Sequence, residues 1–95
     1  MRLTPTQHKQ ILQIAHLNFG ADAKVWLFGS RVDDTQRGGD VDLYVETAQA
    51  STLWSGLRCK IALEDILDLH VDIVVKEPGK NQPIYQIAKQ QGVQL

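Results

Sequence analysis

Apolar and polar positions alternate between two periods along this chain. A helical stretch opens at Thr4-Pro5-Thr6-Gln7, where Thr4 suits an N-cap, Pro5 the first helical position and Gln7 the far side of a capping box. Ile11, Leu12, Ile14 and Ala15 then supply an apolar face, so a helix is expected over about residues 5 to 18, ended by Phe19-Gly20-Ala21-Asp22. Val25-Trp26-Leu27-Phe28 reads as a short strand. After a polar, Gly-bearing segment, a second strand opens with Asp40 and Asp42 flanking Val41 and continues through Tyr44 and Val45. A long helix is expected over about 52–68, capped by Ser51 or Thr52, then a strand at 71–75. A last helix opened by Pro83 carries Ile84, Ile87 and Ala88 and stops at Gly92.

The long helix is apolar on two sides. Cys59, Ala62, Leu63, Ile66 and Leu67 form the expected core stripe, while Leu53, Trp54, Leu57 and Ile61 lie on a different side. Either the helix is bent with both faces internal, or the Trp54 side docks a partner, because a small monomer seldom exposes such a patch.

The chemistry concentrates between Phe28 and Leu43, in FGSRVDDTQRGGDVDL. Strand alternation places Asp40 and Asp42 on one face, roughly 6.5 to 7 Å apart at the backbone, with Val41, Leu43 and Val45 on the other. Such a carboxylate pair is unfavourable on its own, because Asp is a poor strand former and like charges repel. A divalent cation removes the conflict, and hard oxygen ligands suit Mg²⁺, which completes its shell with water and phosphate. Tyr44 shares that face, either bordering a nucleotide or as a partly exposed strand tyrosine. Gly29 allows close backbone approach, and Ser30 offers a hydroxyl and an N–H to phosphate at the start of a short helical turn. Each piece alone is a turn or a solvated strand start. Together, in this order, they describe a nucleoside triphosphate site.

Arg31 suits either triphosphate charge or a structural pair with Asp33 or Asp34. Arg37 has a weaker claim, and Asp33 and Asp34 read as solvated loop carboxylates. His8 and His16, eight residues apart, are too far apart for a metal pair on one helix and read as surface or structural. Asp72 stands in an otherwise apolar strand, where burial without a partner would be costly and a place beside metals would explain it.

Gly29-Ser30, a spacer and Asp40-x-Asp42 at a strand start resemble the signature of the nucleotidyltransferase superfamily that includes DNA polymerase beta and the aminoglycoside nucleotidyltransferases. The string GSRVDDTQRGGDVDL is similar, more narrowly, to the minimal nucleotidyltransferases, the MNT or MntA-like antitoxins encoded beside HEPN-domain toxins. That family's third carboxylate, on a later strand, corresponds to Asp72 in HVDIVV. One departure is Gly39, where many members have Ser before the first Asp; a polar contact is lost there.

The resemblance implies an α/β (α+β) nucleotidyltransferase fold: a small mixed sheet, helices packed on one face and the three Asp residues on the other. It implies AMP transfer from ATP to a tyrosine hydroxyl of a cognate HEPN ribonuclease toxin, which is thereby neutralised. Asp40, Asp42 and Asp72 would be the catalytic, metal-binding triad. Asp40 and Asp42 would bind two Mg²⁺ ions, Asp72 the ion that activates the acceptor, and Gly29, Ser30 and Arg31 would bind the nucleotide. The alternative is an antitoxin that works by contact alone. A small-molecule transferase is disfavoured for want of a domain to hold a second substrate.

Composition narrows the picture only slightly. Ninety-five residues suit a single domain, expected to span 1–95, and 43% hydrophobic with 22% charged residues is ordinary for a globular protein. Ten basic against eleven acidic residues leave no electrostatic footprint for stable nucleic-acid or membrane binding. Cys59, the lone cysteine, and the lack of any long apolar run point to a cytoplasmic protein.

Overall fold

The computed structural model describes residues 3–32, 39–49 and 52–95. Its first helix, α1 (Pro5–Phe19), starts as the sequence requires: the Thr4 hydroxyl accepts from the Gln7 N–H at 3.1 Å, and the Gln7 side chain accepts from the Thr4 N–H at 3.0 Å. Strand β1 (Lys24–Phe28) follows, then a 3-10 turn over Gly29–Val32. Strand β2 (Val41–Glu46), helix α2 (Leu53–Leu67), strand β3 (Val71–Val75), helix α3 (Pro83–Gln91) and strand β4 (Val93–Gln94) complete the chain.

The mixed sheet has the order β3-β2-β1-β4. β1 runs antiparallel to β2 and to β4, whereas β2 and β3 are parallel. Parallel neighbours need a long crossover, and α2 supplies it. Odd-numbered strand residues Val25, Leu27, Val41, Leu43, Val45 and Val71 meet Ile11, Ala15 and Phe19 of α1 and Cys59, Leu63 and Leu67 of α2 in the main core. The α+β class holds.

The layering differs from the expectation of helices on a single face. α3 lies on the opposite face, the one that carries the Asp residues, where Tyr85 and Ala88 cover Trp26 and Tyr44. The reason is the aromatic content of the even positions: alternation that keeps Asp42 off the core also puts Trp26 and Tyr44 there, and large rings need cover. Tyr44 is not the partly exposed strand tyrosine of the second expectation. It is fully buried, 5.4 Å from the Trp26 ring and 5.5 Å from Tyr85, and donates its hydroxyl proton to Glu46 at 2.8 Å.

Two further points depart from periodicity. β4, too short to show a pattern, pairs with β1 because the end of α3 meets that strand's edge, where a Cβ on Gly92 would lie 2.6 Å from the Leu27 carbonyl oxygen. On α2 the buried stripe is Ser55, Cys59, Leu63 and Leu67, a stride of four, and Ile66 is exposed. Leu53, Trp54, Leu57 and Ile61 are exposed too, with Trp54 at 65%, so the second apolar side is not internal. Among the described residues no helix is long and apolar enough to cross a membrane.

Candidate active site

One end of the sheet collects the predicted residues. β1 finishes at Phe28, and Gly29 turns the chain with φ +79°, a conformation that side chains rarely adopt. Across the ladder Phe28 is the partner of Asp42, and Asp42 is the partner of Asp72, so the two carboxylates stand side by side on adjacent parallel strands. Asp40 sits just before β2, where its oxygen approaches the same place. A ligand atom from each of Asp40, Asp72 and His70 lies within 4.8 Å of the other two. Asp42 lies outside that trio, its carboxylate set against the backbone of Gly29.

Electrostatics at this end is unbalanced toward negative charge. Burial pushes the half-buried Asp42 carboxyl above its ordinary value, repulsion from Asp72 and Asp40 pushes it the same way, and His70 partly opposes them. Asp72 is exposed rather than buried, so the cost of burying an unpaired carboxylate does not account for it. Its Oδ1 instead faces His70 Nε2 at 3.4 Å and Lys60 Nζ at 3.8 Å.

Behind Asp72 lies a cluster that sequence reasoning missed. Glu64 Oε2 accepts from the Val71 N–H at 3.0 Å and from Lys60 at 3.3 Å, and stands 3.0 Å from His70 Nδ1. Lys60 also donates to the Val71 carbonyl. These contacts hold the Glu64 carboxyl below its ordinary value, the Val71 N–H first among them. Two signals were present: His70 shares Asp72's strand face at i, i+2, and Lys60 and Glu64 share a helix face at i, i+4.

Arg31 donates from Nε to the Gly39 carbonyl at 3.3 Å, tying the 3-10 turn to the residue before Asp40. The roles expected of the Ser30 hydroxyl and of Asp33, Asp34 and Arg37 fall outside the described residues and side chains.

The chain as a whole has similar counterparts among known proteins. Residues 8–94 match the family described as nucleotidyltransferase domain. No curated protein matches the chain. Among solved structures, the complex of tri-AMPylated Shewanella oneidensis HEPN toxin with MNT antitoxin contains a similar chain, with TM-score 0.73 and 22% identity over 94% of this chain and 68% of that one. A mutant of the toxin–antitoxin pair MntA-HpeT gives TM-score 0.76 and 22% identity, over 90% of this chain and 69% of the other. At this identity the structures establish the shared fold. With the family match extending over nearly the whole sequence, from α1 through β4, the chain belongs to the nucleotidyltransferase domain family.

Proposed function

We propose that this protein transfers AMP from ATP to a tyrosine hydroxyl of a HEPN-domain ribonuclease toxin, and that the modification neutralises the toxin in the cytoplasm. The observation that carries this reading is the pairing of Asp42 with Asp72 across β2 and β3, beside the Gly29 turn and within reach of Asp40. The family match supports nucleotidyl transfer, and the tri-AMPylated toxin in the similar complex supports AMP as the group moved and a protein as its acceptor.

The donor set fits divalent magnesium. Asp40, Asp42 and Asp72 are hard oxygen donors gathered at one sheet end, and a cation there would offset the repulsion from Asp72 and Asp40 that, after burial, raises the Asp42 carboxyl. Asp40 and Asp42 would hold two ions and Asp72 one of them. When bound, the ions supply charge stabilisation to the attacking and leaving oxygens of an in-line displacement at the α-phosphorus. The chain's own contribution is positional. Gly29 lets the backbone come close to the triphosphate, Ser30 and Arg31 hold its oxygens, and the Arg31–Gly39 bond keeps the turn against Asp40. The acceptor hydroxyl attacks phosphorus, the bond to pyrophosphate breaks, and the hydroxyl proton passes to solvent.

A second reading, neutralisation by contact alone, is favoured by the exposed Leu53, Trp54, Leu57 and Ile61 of α2, which suit docking whether or not chemistry follows. Intact mass of a HEPN-domain partner after incubation with this protein, ATP and Mg²⁺ separates the two. Additions in steps of one AMP, on tyrosine, support transfer. A partner silenced at unchanged mass makes the protein a binding antitoxin.

A further inference from the structure

We propose that His70 is a nitrogen donor to the metal of this site, oriented by Glu64. The inference rests on the metal-binding reading of Asp40, Asp42 and Asp72, and adds a ligand of different chemistry to it.

Three observations carry it. A ring nitrogen of His70 lies with an oxygen of Asp40 and an oxygen of Asp72 inside a 4.8 Å group that could share one ion, and Nε2 is the nitrogen facing Asp72, 3.4 Å from its Oδ1. The other ring nitrogen, Nδ1, is 3.0 Å from Glu64 Oε2. A carboxylate behind one nitrogen is the usual companion of a metal-bound histidine, because it fixes the tautomer and leaves the far nitrogen's lone pair for the cation. Glu64 is itself fixed, by the Val71 N–H and by Lys60, so the imidazole is presented from a rigid base on α2 and the start of β3. Lys60 is anchored on Glu64 and the Val71 carbonyl and forms a longer, 3.8 Å ion pair with Asp72 Oδ1, which a bound cation would share.

Pulsed electron paramagnetic resonance on the purified protein loaded with Mn²⁺ alone tests this through the nitrogen nucleus rather than through activity. The expected result is a ¹⁴N coupling from one imidazole in the wild type, absent in His70→Ala, which still binds Mn²⁺ at least about tenfold more weakly. Glu64→Gln should keep the coupling but lose affinity by about 10- to 100-fold. Because His70 is exposed, His70→Ala should fold normally, and circular dichroism checks that it does. Bound Mn²⁺ without a nitrogen coupling overturns the inference and leaves the carboxylate site standing, with His70 a charge partner of Asp72 only. A coupling that survives in His70→Ala belongs to another histidine and overturns it equally. Mn²⁺ binding that is absent, or unaffected by Asp40→Asn with Asp42→Asn, removes the metal reading of the triad and this inference with it.

Discussion

A β-carbon placed on Gly29 would stand 3.1 Å from Cγ of Asp42 and closer still to its Oδ2. The turn that ends β1 and the carboxylate of β2 thus occupy adjoining space, and glycine is the residue that permits it. At φ +79° any other residue also meets backbone strain of roughly 1–2 kcal/mol. Gly29→Ala should therefore displace the Asp42 carboxylate, lower the melting temperature by a few degrees and cut transfer at least about tenfold. Thermal melts and single-turnover assays with ATP and Mg²⁺ check it; a variant of normal rate would show that the Asp42 position is not critical.

Asp40→Asn with Asp42→Asn should abolish transfer and leave the fold intact. Without metal the double variant should be more stable than wild type at neutral pH. The Asp42 carboxyl is raised above its ordinary 3.8 by burial and by its acidic neighbours, so its ionisation is resisted by the folded state. Below 3.8 it is protonated in both states and costs nothing; as pH rises the unfolded chain ionises first, and stability falls until the folded carboxyl has ionised too. The gain in the variant should thus be present at pH about 7 and vanish near pH about 3. Melts in chelator at the two pH values measure this, and a variant less stable at neutral pH would contradict it.

Asp72→Asn should lower turnover much more than nucleotide affinity if, as the resemblance implies, its ion would serve the acceptor rather than the triphosphate. Equilibrium ATP binding alongside single-turnover rates tests the division. Equal loss of both would assign Asp72 to the nucleotide instead.

Trp54 and Leu57, 65% and 44% exposed, lie outside the core, so Trp54→Ala with Leu57→Ala should leave circular dichroism and metal binding near wild type. Buried aromatic anchors at interfaces cost about 2 to 4 kcal/mol when truncated, roughly 30- to 1000-fold in affinity. Titration calorimetry with a HEPN-domain partner should show a loss of that order. Unchanged affinity would place the docking face elsewhere.

What the sequence determined by itself is local. Thr4 and Gln7 set the start of α1 through a hydrogen-bond exchange three residues apart, and Pro83 sets that of α3. The period-two alternation of Val41, Leu43 and Val45 fixed which face of β2 is core and hence where Asp42 points. The order Gly29, Ser30, Asp40, Asp42, Asp72 was enough to resemble the family that the match over residues 8–94 then established. Only the tertiary structure decided what depends on packing partners distant in sequence. It placed α3 over Trp26 and Tyr44, because nothing within a strand says which helix covers its second face. It left the Trp54 side of α2 in solvent and buried Ser55 in its place, since a helix with two apolar sides is resolved by where the sheet lies. It also brought Lys60 and Glu64 of α2 to His70 and Asp72 at β3, a meeting that follows from the parallel crossover and not from any one segment's pattern.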